Sequence, residues 1–542
     1  MNLQNISANQ IVVWTALVLG LVMALVIGNA VGSSDMRLVA GLVAAIPVAV
    51  IFVKLKTNIW ILLPIGWYLT GRLPWLPVPF TVRDLCFMAV IFFFTLFFAT
   101  RALPWKRKVG MLDYLIYINL AYLATVFARN PVGFWAMQSS MVGGRPYFEI
   151  ALAFGAFVVL SRVQITDFVA KIFPLFFVIP AWCVAILDVI GRLVPQTAYP
   201  LAMMYSGVGS RSVGGVLSEE AQLGESRFTG MQNAGLSSVL ALCAKYNPIT
   251  MISPLYPLRL LLIAASFGAI FLSGYRSVLL FAIVAFVLSS LLRGHVRDLW
   301  VAGSGMLILV VSLIFLQGSV LQLPRTMQRT LCWLPGDWDQ AALADAENSS
   351  RWRFEMWGWA WNDDRILRDR TWGQGFGLSI DDMNLIASSL VAGGGGASLL
   401  GGSDRENFLI TGTFHSGPLS TIKYIGVVGL ALYYPLMCYM ALLAWRICIQ
   451  ARGTKAFTLA LFVGIPIIYE PFNFVVIFGG LDSNYSQLLF WAGCLNMTKR
   501  YVENLKRTTL MDVRKVSEEA AARPARELES VLGRHSLMRQ SL

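Results

Sequence analysis

Phe408-Leu-Ile-Thr-Gly-Thr-Phe-His415-Ser-Gly-Pro-Leu419 runs directly into Ser420-Thr-Ile-Lys423-Tyr-Ile-Gly426-Val-Val-Gly429, and this join decides the fold. The first half closes the longest polar stretch of the chain. The second half opens a long apolar run. A polar loop of about a hundred residues (317–416) that re-enters an apolar span is the grammar of a polytopic membrane protein. The join also holds one of only 3 histidines in 542 residues. The other two, His295 and His535, lie in a short basic loop and in the polar C-terminal segment. An imidazole at a membrane re-entry is placed to take a proton from something in the water.

Composition agrees with that grammar. Hydrophobic residues make up 57% of the chain and charged residues 13%, where a soluble domain carries about a quarter charged. The net charge of +13 is spread in short clusters between apolar runs. Such clusters set topology and attract anionic lipid, and do not form a face for a nucleic-acid duplex. Of the seven cysteines only Cys332 lies in the large loop, and no pair has metal-ligand spacing, so neither a disulfide framework nor a zinc site is expected. Met1 to Gln10 lacks the basic start and cleavage site of a removable signal peptide, so the first span is expected to remain as an anchor.

A span needs about 20 apolar residues. By that rule about fourteen lie near 11–31, 37–53, 58–71, 84–100, 111–128, 147–161, 168–190, 232–245, 256–273, 275–292, 299–316, 417–445, 456–470 and 485–498. Lys and Arg gather in alternate loops, among them 101–108, 293–297, 446–455 and 499–507, which puts both termini in the cytoplasm. Two long segments then lie outside, 191–231 and 317–416. Within the second, Arg351-Trp352-Arg353-Phe354-Glu355-Met356-Trp357-Gly358-Trp359-Ala360-Trp361 spaces aromatic residues as an amphipathic surface helix does. The glycine-rich stretch 391–403 reads as a flexible segment or lid, since no strand precedes it and no Lys-Ser/Thr follows. Residues 1–500 therefore read as the transmembrane domain and 501–542 as a polar cytoplasmic tail.

Under this topology Arg145, Glu149, Arg227, Arg276, Arg351, Arg353, His415 and Glu470 all fall at or near the outer face. Ionisable groups at membrane depth cost roughly 2.5–3.5 kcal/mol on insertion scales, so each needs a reason. Several guanidiniums around one titratable base suit an anionic, lipid-borne substrate, because the planar fork binds two phosphate oxygens and stays charged. Simpler roles are open for several of them. Arg276, in Ser273-Gly-Tyr-Arg276-Ser, either binds an anion or snorkels to headgroups. Glu149 follows Pro146 in a first helical turn, where a carboxylate complements the helix dipole. Lys423 lies eight residues past His415, near the same helical face, and either reaches substrate or snorkels. Asp363-Asp364 and Asp381-Asp382 are adjacent pairs that point apart, so no metal site is expected.

In these blocks the chain resembles the O-antigen ligase and Wzy polymerase superfamily of bacterial envelope polysaccharide synthesis. That family ends its large periplasmic loop with His-Asn-x-x-Leu and follows it with Gly-x-x-Gly, which here read His415-Ser416-Gly-Pro-Leu419 and Gly426-Val-Val-Gly429. Arg227-Phe-Thr-Gly230 with Asn233 is similar to its arginine before a span, and Ser273-Gly-Tyr-Arg276-Ser to its short Ser-Arg turn. Arg351 or Arg353 with Trp357, then Trp372-Gly373-Gln-Gly375-Phe-Gly377, is similar to its loop helix and following Gly-x-Gly. The match covers about 220–445, in order. Ser416 in place of asparagine and a higher span count are the departures.

The resemblance implies an all-α polytopic protein of about 12–14 transmembrane helices with one large periplasmic loop, a GT-C-like glycosyltransferase of the bacterial inner membrane. It implies a metal-independent, cofactor-free inverting transferase acting on an undecaprenyl-diphosphate-linked glycan, with a glycan or lipid acceptor. A repeat-unit polymerase is slightly favoured over a ligase to lipid A-core or protein. His415 would be the base. Arg227, Arg276, Arg353 and Arg351 would bind the diphosphate, and Lys423, Ser416, Arg145, Glu149 and Trp357 would contact donor or acceptor. The reading of another class is a secondary transporter or lipid-glycan flippase. Such proteins place charges at mid-membrane and often show related halves, whereas here the charges crowd one face and no repeat is visible.

Overall fold

The computed structural model describes residues 55–71, 80–100, 109–133, 141–194, 196–197, 228–317, 322–379, 408–477, 479–482, 484–508 and 510–511. The expected spans at 11–31 and 37–53, Arg227, the glycine-rich 391–403 and most of the tail lie outside them. The described chain is almost wholly helical. Its strand content is one two-residue antiparallel pair, β1 (Met141–Val142) with β2 (Leu378–Ser379).

The helices begin and end where local chemistry dictates. A short helix α1 (Leu62–Gly66) follows a 3₁₀ turn, Lys56–Ile61, and ends in a turn at Trp67–Tyr68 within the expected 58–71 span. A methyl group on Gly66 would lie 2.9 Å from the Cys86 side chain, so this end is packed tight. Helix α2 (Val82–Ala99) opens on a capping box in which Thr81 and Asp84 satisfy each other's backbone N–H. Helices α3 (Met111–Arg129), α4 (Gly144–Leu160), α5 (Leu175–Leu193) and α6 (Thr229–Lys245) follow. Helix α7 (Pro257–Ser273) starts on proline and stops at left-handed Gly274, and α8 (Arg276–Arg293) stops at left-handed Gly294. Helix α9 (Val296–Leu316) leads into the large loop, which carries α10 (Gln340–Asn362). Helices α11 (Gly417–Ala451), α12 (Phe457–Phe472) and α13 (484–508) close the described chain.

Among the described residues, six helical segments are long and apolar enough to cross a membrane: Val82–Ala99, Met111–Arg129, Asp167–Gly191, Arg276–Arg293, Gly417–Ala451 and Phe457–Ile477. The protein is a multi-pass membrane protein, mostly helical over the described residues. Its main core is built from α2, α3, α4, α11, α12 and α13, with Trp60, Phe97, Phe157, Phe173, Phe462 and Phe490 among its fully buried side chains. A second cluster joins α6, α7 and α8 to the start of the loop through Leu331, Cys332 and Trp338. Leu258, Leu261, Leu307 and Ile308 are exposed on the outside, the distribution expected where the surrounding solvent is hydrocarbon.

The loop helix α10 departs from a purely superficial role. Met356 and Ala360 are fully buried, and they pack with Leu367, Leu409, Phe414 and Leu419. Phe354, Trp359 and Trp361 remain exposed on its other side. One face of the amphipathic stretch therefore docks on the re-entry segment that holds His415.

Candidate functional site

The segment from Phe408 to Ser416 is a helical hairpin with α11, one helical turn over 408–411 and then a loop from left-handed Gly412 to Ser416, and its carbonyls are taken almost one by one. Thr413 N–H donates to the Phe408 carbonyl at 3.0 Å. Lys423 Nζ donates to Leu409 O at 2.9 Å and to Ile410 O. The Tyr424 hydroxyl donates to Thr411 O, Ser420 Oγ to Gly412 O at 2.9 Å, and Trp357 Nε1 to Phe414 O at 2.7 Å. Gly412 turns through φ +72°, and a methyl group there would meet Lys423 and Tyr424 at 2.8 Å. Loop backbone at membrane depth must be satisfied by protein, since lipid offers no partner. The first turns of α11 supply most of those partners, and α10 adds Trp357.

His415 is the one described non-glycine residue with positive φ, +52°. That conformation costs on the order of 1–3 kcal/mol for a side-chain-bearing residue and persists only where the surroundings over-determine it. The bonds to Gly412 O and Phe414 O just before it, and that from Ser420 N–H to Ser416 O at 3.0 Å just after it, do so. The half-buried ring lies between Trp352 at 5.9 Å and Phe408 at 5.4 Å, centroid to centroid.

Trp352 is followed on α10 by Arg353, and Arg353 reaches toward Arg276. Burial, and then the neighbouring Arg276 charge, hold the Arg353 guanidinium below its ordinary pKa. Its Nε is buried without a hydrogen-bond partner. Arg276 is the first residue of α8, directly after the tight Gly274–Tyr275 turn. Phe228 N–H donates to the Leu272 carbonyl at 3.5 Å, which brings the start of α6 to the same turn. Two partly desolvated guanidiniums in mutual repulsion gain most from a doubly charged anion between them.

Arg351 goes elsewhere. Two residues along a helix are about 200° apart, and Arg351 is exposed and paired with Glu347 at 3.2 Å. The structure thus separates Arg353, which faces Arg276, from Arg351, which faces solvent. Arg145 and Glu149 form a different group. Arg145 bonds Asp84 at 2.5 Å and Glu149 at 2.7 Å, and Arg83 bonds Glu149 at 2.7 Å. This quartet ties the start of α2 to the start of α4, and no described contact joins it to His415. Lys423 is 4% exposed and spends its donors on the hairpin, with the Phe414 ring 5.6 Å away. Ser416 is the N-cap of α11, although its hydroxyl makes no capping bond.

The two glycine motifs meet each other. Gly426 has φ +73° and ψ +177°, which breaks α11. The loop segment 370–375 fills the break: Val427 N–H donates to Arg370 O at 2.8 Å, Gln374 N–H to Lys423 O at 3.0 Å and Gly375 N–H to Tyr424 O at 2.9 Å. A methyl group on Gly426 would sit 2.2 Å from the Thr371 carbonyl, and one on Gly373 2.4 Å from the Ile425 backbone. The Tyr122 hydroxyl donates to Ile425 O at 2.8 Å, and Arg129 stacks on Trp372 at 5.4 Å. Tyr122, Arg129, Ser420 and Tyr424 escape a reading of the sequence, because their partners are fixed only when the loop closes on α11.

No family model matches this sequence, and no curated protein matches it significantly.

Proposed function

We propose that this protein is a metal-independent, inverting glycosyltransferase of the bacterial inner membrane, working at the periplasmic face on an undecaprenyl-diphosphate-linked oligosaccharide. The observation that carries the reading is the grouping of three separate segments. His415 is held left-handed on a clamped hairpin, beside the turn of α10 that presents Arg353 to Arg276. The sequence resemblance to the O-antigen ligase and Wzy polymerase superfamily supplies the substrate class, with the large loop as the periplasmic element and the helical bundle as a GT-C-like scaffold.

The chemistry follows from the groups. An acceptor hydroxyl oxygen attacks the anomeric carbon, and the bond from that carbon to the phosphate oxygen breaks. The configuration inverts, and the diphosphate departs with the electron pair. The hydroxyl proton passes to the His415 imidazole, whose affinity near neutrality suits a base. Arg276 and Arg353, joined by Arg227, bind the diphosphate and neutralise the charge that grows as the bond lengthens. The break in α11 favours this reading over a transporter. Transport proteins leave such unwound backbone to line a substrate path, whereas here the 370–375 loop segment takes up the freed groups.

Polymerase activity is favoured slightly over ligation to lipid A-core or protein. Purified protein is given lipid-linked repeat units alone, and then with core lipid added. Longer lipid-linked chains in the first reaction support a polymerase; product only in the second rejects it. His415→Ala is expected to lose product formation by roughly 10²–10⁴-fold while keeping its fold and donor binding. Near-normal turnover in that variant overturns the assignment.

A further inference from the structure

A second polar centre lies inside the bundle, on α12. Glu470 is half-buried at the end of this helix, and among the described residues no Lys, Arg or His pairs with it. Its carboxylate takes two long contacts, from Asn473 Nδ2 at 3.3 Å and Asn484 Nδ2 at 3.4 Å. It opens on a cavity of about 30 Å³ whose other polar walls are Asn484, Gln487 and Trp491. Trp491 is 8% exposed, and its indole N–H has no partner. The hydroxyl of fully buried Tyr433 is also unpartnered, and it lies within electrostatic reach of Glu470. The backbone is unusual here too. Pro471 has no N–H to give the carbonyl of Ile467, a lining residue, and the chain passes into a π-turn at Asn473–Ile477.

We propose that this cavity is a binding site for a monovalent cation of sodium or potassium size. An ionised carboxylate in a membrane bundle needs a countercharge, and one carboxylate balances one monovalent ion. The oxygens available are those of Glu470, the amide oxygens of Asn484 and Gln487, and the Ile467 carbonyl that Pro471 leaves without its helical donor. The Trp491 N–H then donates to a water completing the ion's shell. About 30 Å³ is room for an ion and its water, since one water needs roughly 10–15 Å³ on this measure. It is too little for a sugar, whose sites run to hundreds of Å³. A divalent ion asks for more carboxylates, and among the described residues no three His, Cys, Asp or Glu side chains converge. Discontinuous helices with freed carbonyls are the setting in which membrane proteins hold such ions. The inference stands apart from the glycosyl-transfer reading.

The test is thermal unfolding of the full-length protein in detergent, at one pH and one ionic strength, in NaCl, KCl or choline chloride. Sodium or potassium is expected to raise Tm saturably by about 2–4 °C over choline. Glu470→Gln is expected to abolish the difference while unfolding no earlier than wild type does in choline. Asn484→Ala, which keeps the carboxylate, moves the midpoint to at least tenfold higher salt. Equal Tm in all three salts for the wild type overturns the proposal, whatever the variants do. An undiminished response in Glu470→Gln, or in Asn484→Ala should Glu470→Gln fail to fold, places the ion elsewhere and overturns it equally.

Discussion

Replacing Lys423 with methionine separates a residue that shapes the site from one that touches substrate. In the wild type the buried ammonium donates to the carbonyls of Leu409 and Ile410. Methionine fills nearly the same space and leaves both carbonyls without that donor. An unsatisfied buried acceptor costs about 1–3 kcal/mol, partly offset because a buried charge no longer needs desolvating. The left-handed conformation of His415 stores a similar amount, on the order of 1–3 kcal/mol. Loosening the hairpin by that much therefore lets His415 relax out of its reacting geometry. Each 1.36 kcal/mol is a factor of about ten in rate, so kcat is expected to fall roughly 10- to 100-fold. Donor KM should stay within about twofold, since Arg276 and Arg353 are untouched and only transition-state geometry is lost. The assay is glycan transfer at saturating and limiting lipid-linked donor, with Tm as the folding control and Lys423→Arg as the partial rescue. Wild-type kcat in Lys423→Met refutes the clasp. A raised donor KM with kcat intact refutes it differently, by making Lys423 a substrate contact.

Other perturbations read other parts of the structure. Gly426→Ala adds a methyl group 2.2 Å from the Thr371 carbonyl at φ +73°, so it should lower Tm sharply, and normal melting would show that the loop segment 370–375 does not fill the break in α11. Arg353→Ala removes a repulsive neighbour of Arg276 and should unfold no earlier than wild type. It should nevertheless lose tenfold or more in affinity for lipid diphosphate, measured by protection against unfolding with inorganic diphosphate as the probe. Arg351→Ala loses only an exposed ion pair, worth about 0–1 kcal/mol, and should match wild type in both measurements; a loss of diphosphate protection there would invert the assignment of the two arginines. Asp84→Asn breaks the bond to Arg145 and weakens the cap of α2, so stability should drop by about 1–3 kcal/mol with donor KM unchanged. A KM effect in that variant would bring the quartet into the substrate site.

Much of the helical order was legible because hydrocarbon imposes a crude rule. Apolar runs of the required length are helices, and the expected ends near 84–100, 111–128 and 275–292 fall within a few residues of Val82–Ala99, Met111–Arg129 and Arg276–Arg293. The rule fails where an apolar run does something other than cross. At 58–71 the chain turns at Trp67 against α2, and Gly66 makes that contact possible. Within 417–445 a single apolar pattern conceals the break at Gly426, because hydropathy does not record which backbone bonds a distant loop will satisfy.

The site was legible only as a set of candidates, and the reason lies in the helix repeat. Arg351 and Arg353 carry the same chemistry two residues apart, so one of them at most can face inward. What chooses is the packing of Met356 and Ala360 on Leu409 and Phe414, a contact between segments far apart in sequence. For Lys423 the local alternatives were substrate or headgroup, and the partners found are two carbonyls of the hairpin itself. The same closure accounts for half of the ten positive-φ residues among those described. Gly373, Gly375, Gly412, His415 and Gly426 all have positive φ, and all lie where the large loop is sewn to α11. Four of the five are glycines, for which that geometry is nearly free. The fifth keeps a side chain at a position where a side chain is penalised, and that side chain is an imidazole set between Trp352 and Phe408. A residue retained against its backbone preference is best explained by what the ring does there.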